Sequence, residues 1–355
     1  MKFGFRWYGA EDSIPLRYIR QIPCVTTVVS ACYNTPAGQV WKEEEVARLS
    51  QEAAACGLTF SVAEGLPVHE SIKLGLPGRD SYIENFLANL RLLARHGVDT
   101  VCYNFMPLFG WVRTNLNSPL ADGSYTVSFC REELDALDPA QADLKLPGWN
   151  FSARREELKA MLEQYHALGK EGMWKNLTYF LKAVVPEAQR LGIRLAIHPD
   201  DPPQPLFGLP RIVSSLDDLL RLTALVDCPA NGITLCTGSL GSGRHNNVAE
   251  IADRLGARGR IAFVHARNIL LGDGEDFLES AHPSRCGSLD MAQILAILHR
   301  HGYDGAIRAD HGRMVWGEQG KPGYGLYDRA MGICYLYGLW EALTYQQRLQ
   351  PSCWQ

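Results

Sequence analysis

The sequence predicts an α/β fold, a (β/α)8 TIM barrel formed by one domain, and three observations carry the prediction. Eight short apolar runs rich in β-branched and aromatic residues recur along the chain, separated by segments with helical periodicity. Four of those segments end in a glycine followed at once by the next apolar run: "ACGLTF", "RHGVDT", "RLGIRL" and "RHGYDG". The 355 residues, 46% of them hydrophobic, can bury a large core, and α/β barrels reach this size as one domain. Near-continuously apolar strands alternating with amphipathic helices imply a parallel sheet covered by helices. By strand count an open doubly wound sheet is the alternative, but no GxGxxG follows the first run to favour it.

The elements follow in order. "FGFRW" (3–7) and "CVTTVVSA" (24–31) are the first two strands, and a helix over 42–56 leads to "TFSVAEG" (59–65). A helix over 80–96 precedes "DTVCYNF" (99–105). The next stretch, 107–175, is far longer than an ordinary βα loop and is polar and aromatic, with a helical piece near 153–168. It is expected to be a lid, because loops that follow barrel strands sit on the active-site face, or else a contact between subunits. A helix over 176–191 then leads to "RLAIHPDD" (194–201), one over 214–226 to "GITLCTG" (232–238), one over 246–256 to "IAFVHARN" (261–268), and one over 289–301 to "GAIRADHGR" (305–313). The domain is therefore 1–355, with 107–175 inserted after strand four.

Composition narrows the partners. A formal charge of −4 with interspersed signs leaves no electrostatic footprint for nucleic acid or an anionic membrane, so a small molecule is expected. "MKFGFRWYGAEDS" has neither an apolar core nor a cleavage site of a signal peptide, and no run of about 18 apolar residues occurs, so a cytoplasmic protein is expected. The ten cysteines form no CxxC pair, which suits reduced thiols.

The last four strands share a design: each ends in a His, Cys or Asp. In a barrel all strand C-termini open on one mouth, so His198, Cys236, His265 and Asp310 converge there. Singly, each has an ordinary explanation, a small buried thiol or a satisfied polar group. Together, imidazole, thiolate and carboxylate from consecutive strands can surround one divalent ion, and the mixed set suits Mn, Fe, Co or Zn better than Mg or Ca. The same mouth collects Arg6 and Trp7 after strand one, Glu64 after strand three, Asn104 after strand four, and Arg267 and Asn268 after strand seven. His311 follows Asp310 directly and should turn away from the metal toward whatever the metal binds. The glycine-rich segment 312–332 can fold over the mouth and present Arg313 and Tyr324, though Tyr324 also reads as a packed loop anchor. Arginines there suit a carboxylate, so a small anionic polyol is the expected ligand.

Taken in order and spacing, "WYG", "HPDDPP" with "LFGLPRI", "CTGSLG", "HARN", "ADHGRM" and "GYGLYDRAMG" resemble the D-mannonate dehydratases, from Met1 to about Tyr345. The resemblance implies a xylose-isomerase-like barrel, a divalent metal, Mn(II) first with Fe(II) or Co(II) as the other candidates, and conversion of D-mannonate to 2-keto-3-deoxy-D-gluconate and water. By motif it makes His198, Cys236, His265 and Asp310 the metal ligands, and His311 and Tyr324 the acid and base. Tyr324 as base and His311 as acid is the preferred assignment, with the reverse left open. A homo-oligomer is also expected. Two other functions compete: a metal-dependent sugar isomerase or epimerase on the same barrel, against which Cys236 argues, and a non-catalytic sugar-acid binding protein, which needs no acid/base pair.

Overall fold

The computed structural model describes residues 1–139 and 155–349. Its strands are β1 (Lys2–Arg6), β2 (Thr27–Ser30), β3 (Thr59–Glu64), β4 (Thr100–Tyr103), β5 (Asn115–Pro119), β6 (Tyr125–Phe129), β7 (Arg194–Ile197), β8 (Asn231–Cys236), β9 (Ile261–Ala266), β10 (Ile269–Leu271), β11 (Phe277–Glu279) and β12 (Ala306–Ala309). Eight of them close into a parallel barrel in the order β1-β2-β3-β4-β7-β8-β9-β12, as the apolar runs predict. Helices Glu43–Ala55, Arg79–Arg95, Leu216–Leu225, Val248–Gly256 and Met291–Arg300 fall on the expected segments. All four predicted glycine caps, Gly57, Gly97, Gly192 and Gly302, hold the left-handed backbone that only glycine adopts without strain. Small and medium side chains, Val29, Val62, Cys102, Ala196, Ala262 and Ala306, cluster with the larger Phe263 in the barrel interior. A larger apolar layer lies between the strands and the helices.

The insertion contains strands to which the sequence reading assigns no secondary structure. Its first part forms the β5–β6 hairpin, which pairs antiparallel with β11, and β11 with β10, to give a four-stranded sheet built from two distant stretches of chain. Tyr125 and Met314 exchange backbone hydrogen bonds of 3.1 and 2.7 Å, which tie this sheet to the segment after β12. The helix before β7 is also longer than predicted: it runs Arg155–Leu191, broken at Gly169, whose φ is 63°. Residues 140–154, including the start of the predicted helical piece, lie outside the described residues. The closing helix Leu326–Leu349 was not among the predicted helices, and only one turn, Leu16–Ile19, separates β1 from β2.

Candidate active site

Parallel register assembles the site. Cys236 at the end of β8 stands beside His265 of β9, and His265 beside Arg308 of β12, while Glu64 of β3 stands beside Cys102 of β4. His198 follows β7, with its N–H bonded to the Tyr103 carbonyl at 2.6 Å, and Asp310 follows β12. These side chains open on a cavity of ≈ 210 Å³ lined by Arg6, Glu64, Asn104, Trp111, His198, Asp201, His265, Arg308, Asp310, His311 and Tyr324, among others. That volume suits a small metabolite; drug-sized ligands occupy pockets of about 300–1,000 Å³.

The four predicted ligands do converge. His198 Nε2 and His265 Nδ1 lie 3.1 Å apart, and both are within 4.8 Å of Cys236 Sγ. Asp310 places one oxygen 3.7 Å from Cys236 Sγ and the other 3.7 Å from His265 Nδ1. Burial lowers the pKa of His198, against the pull of Asp310 and Asp201, and so favours the neutral ring whose lone pair a metal needs. Burial by itself would raise the Asp310 carboxyl, but Arg308, His311, His265 and Arg267 outweigh it and hold the group well below the usual carboxylate range. Two nitrogens, a sulfur and a carboxylate at one point fit a borderline divalent metal. A second trio, Glu64, Cys102 and His265, also has its donor atoms within 4.8 Å of one another. Its charge is already satisfied: Arg308 holds Glu64 through bonds of 2.8 and 3.0 Å, and Arg6 pairs with it as well. His265 turns its Nε2 to Glu64 at 3.2 Å, leaving Nδ1 for the first cluster.

The first cluster makes a direct prediction. Cys236→Ser should weaken metal binding at least as much as the ~10–100-fold that loss of an outer-shell partner costs, since a neutral hydroxyl replaces a thiolate. Metal titration of the variant checks it; unchanged affinity would remove Cys236 from the set.

Beside the cluster, His311 Nε2 and the Tyr324 hydroxyl are 2.8 Å apart. On the other face of the ring, Nδ1 lies 2.8 Å from Glu279 Oε1 and 2.7 Å from Arg267 NH1. Glu279, on β11 of the small sheet, also pairs with Arg267 and with Arg113, the latter at 2.8 Å. Asp201 completes this buried group, 2.8 Å from Arg113 and 2.6 Å from Arg267. Burial would raise the Glu279 carboxyl, but Arg267, His311 and Arg113 hold it at about 2. Tyr324 is the reverse case: burial first, then Asp310, pushes its phenol up against the pull of Arg308 and Arg6. Trp111 packs edge-on against His311, with centroids 5.1 Å apart.

Arg6, Glu64 and Asn104 line the cavity as the sequence predicts. Arg267 does not line it; it stands behind Asp310, His311 and Glu279, and its stem packs on Gly238, where a β-carbon would sit 2.6–2.7 Å from Arg267 Cγ and Cδ. Three other expectations are corrected. Trp7 is buried in the apolar layer, Asn268 spends its amide on the Pro283 and Leu289 carbonyls and on backbone N–H groups, and Arg313 is held by Asp122 and Asp328. Sequence reasoning missed Arg308, Asp201, Arg113 and Glu279. A charge inside the apolar run "GAIRAD" marks Arg308 and the second acid of "HPDD" marks Asp201, but nothing local marks Glu279.

The D-mannonate dehydratase (UxuA) family model matches residues 1–350. A mannonate dehydratase of Streptococcus agalactiae serotype III (strain NEM316) is 50% identical over 343 residues, covering 97% of this chain and 99% of its own. Mannonate dehydratase 2 of Halalkalibacterium halodurans is 48% identical, covering 97% of this chain and 100% of its own. The crystal structure of mannonate dehydratase from Streptococcus suis serotype 2 superposes with a TM-score of 0.91 at 42% identity, over 98% of this chain and 96% of that one. A D-psicose 3-epimerase from Clostridium cellulolyticum H10, with a TM-score of 0.54 at 12% identity, shares the barrel alone. With the family model spanning the barrel, the His198–Cys236–His265–Asp310 cluster and the His311–Tyr324 pair, the chain belongs to the D-mannonate dehydratase family.

Proposed function

We propose that the protein is a hydro-lyase that dehydrates D-mannonate to 2-keto-3-deoxy-D-gluconate. The observation that carries this reading is the His311–Tyr324 pair, 2.8 Å across, set beside the His198–Cys236–His265–Asp310 cluster within one cavity. Loss of water needs one group to take the proton at C2 and another to protonate the hydroxyl leaving C3, and the pair supplies both. A metal, Mn(II) with Fe(II) or Co(II) as alternatives, would be held by His198, Cys236, His265 and Asp310 and would supply Lewis-acid stabilisation of negative charge on substrate oxygens.

The hydrogen bonds favour the reverse of the assignment preferred from sequence. His311 Nδ1 lies 2.8 Å from Glu279 Oε1 and 2.7 Å from Arg267 Nη1; we assign its proton to the bond with the carboxylate, the acceptor of the two, which leaves the Nε2 lone pair facing the Tyr324 hydroxyl at 2.8 Å. His311 then takes the C2 proton. Burial keeps Tyr324 protonated, so its hydroxyl donates to the leaving oxygen at C3. Glu279 and Arg267 hold the imidazole in one tautomer, and Trp111 limits water on its flank. We assign the β5–β6 portion of the insertion to covering the mouth, a cytoplasmic setting to the enzyme and a homo-oligomeric state to the protein; gel filtration with light scattering tests the last.

The deciding experiment incubates the protein with D-mannonate and Mn(II) and follows the UV absorbance of the 2-keto acid. Product should form, stop after chelation and resume on adding the metal back. An epimeric sugar acid with no loss of water would point to an epimerase instead, and binding without turnover to a sugar-acid receptor.

A further inference from the structure

The segment after β12 carries three cations around the lining residue Tyr324, none of them in the cavity lining itself, and they differ in what holds them. Arg313 is committed to Asp122 at 2.7 Å and Asp328 at 2.9 Å. Arg329, fully buried, donates to the backbone carbonyls of Tyr324 at 2.6 Å, Gly325 at 2.8 Å and Arg6 at 3.4 Å. The Lys321 ammonium has neither an ion pair nor a hydrogen bond among the described residues. Its ammonium rests on two aromatic faces, 4.0 Å from the Tyr8 ring centre and 4.9 Å from that of Tyr324. Those two rings meet edge-on with centroids 5.3 Å apart, and Tyr324 belongs to the cavity lining.

The surroundings leave this ammonium short of negative charge. Asp12 is the acid that acts on it, but the Asp12 oxygens accept the backbone N–H groups of Tyr8 at 2.7 Å and Ile14 at 3.0 Å. Arg6 and Arg329 add positive charge from the same side. Burial, then Arg6 and Arg329, push the lysine down to about 8. On the rest of the wall, Glu64 and Asp310 are already matched by Arg6, Arg308 and Arg267. Lys321 is exposed and stands outside the lining residues, at the rim beside Tyr324, so a small anion entering the cavity would pass this uncommitted ammonium, whose flexible stem carries three donors.

We propose that Lys321 binds the carboxylate of the substrate, the role that chain position had given to Arg313. The inference rests on the reading of the substrate as a sugar acid. A carboxylate has acceptor sites enough to meet a metal on one oxygen and this ammonium on the other. Lys321 thus acts in recognition of the anionic end, while His311 and Tyr324 act at C2 and C3.

The test uses the metal-loaded enzyme with Lys321→Met and Lys321→Arg, measuring KM and kcat for D-mannonate together with metal content and Tm. Methionine keeps the stem and removes the charge, so KM should rise about 10-fold or more, as expected for loss of a hydrogen bond to a charged group, with metal content and Tm unchanged. Arginine should recover most of the loss. A KM within twofold of the parent in Lys321→Met overturns the proposal, and so does equal impairment of both variants, which would mean that Lys321 only shapes the wall. If the parent enzyme itself neither binds nor turns over mannonate, the reading of the substrate fails first and the inference falls with it.

Discussion

His311→Asn should lower kcat by about 10²–10⁴-fold, the range for loss of a general acid or base, while the metal stays bound. The separation is possible because His311 makes its hydrogen bonds outside the cluster, Nδ1 to Glu279 and Nε2 to Tyr324, with Asp310 no nearer to Nε2 than 3.7 Å. Asparagine removes the proton-accepting nitrogen at the cavity yet can still meet Glu279 with its amide. Elemental analysis alongside steady-state kinetics checks the result. A variant that loses its metal would make His311 a ligand, and one that keeps its full kcat would leave Tyr324 to act with some other base. Tyr324→Phe should behave alike, since it removes the hydroxyl 2.8 Å from Nε2 and leaves the ring packed on Tyr8.

Arg267→Met should cost about 3–5 kcal/mol, the usual penalty for leaving buried charges uncompensated. Arg267 is fully buried and reaches Asp201, Glu279 and Asp310, all within 2% of complete burial, so of the arginines its loss leaves only Arg113 and Arg308 to these three carboxylates. Urea unfolding of the metal-loaded protein at neutral pH measures it, and a cost under about 1 kcal/mol would refute the network's role. The pH dependence has a definite sign. Glu279 is held at about 2 in the folded chain against an ordinary 4.5, so its contribution is complete above about 4.5 and drains away as pH falls toward 2. Without Arg267 the Glu279 carboxyl moves up, and the acid-side loss of stability should begin at higher pH than in the parent. Pairing Arg267→Met with Glu279→Leu should recover part of the cost, because an apolar pair of similar volume leaves one fewer stranded charge.

The barrel was legible because its signals are local. A left-handed glycine after a helix, as at Gly57, Gly97, Gly192 and Gly302, and an apolar run of four to six residues are properties of neighbouring positions. The convergence of His198, Cys236, His265 and Asp310 was legible for a related reason. Parallel strands end at one mouth, so placing His198, Cys236, His265 and Asp310 at strand ends was enough to bring them together without knowing a single distance. The order of motifs likewise pointed to the family.

What the chain alone did not reveal depends on contacts between distant segments. The four-stranded sheet joins residues 115–129 to 269–279, a pairing that leaves no periodic mark in either stretch. Glu279 therefore gave no sign that it would reach His311 and orient its ring. Side-chain direction was equally hidden: Trp7 turns into the core, Arg313 is drawn off by Asp122 and Asp328, and of the three cations after β12 Lys321 is the one whose side chain has neither an ion pair nor a hydrogen bond among the described residues. By itself the sequence determined the barrel and the placing of His198, Cys236, His265 and Asp310 at its strand ends. Tertiary structure alone decided which neighbour each charged side chain meets, because a buried charge is stable only beside its counter-charge and those partners come from loops far apart along the chain.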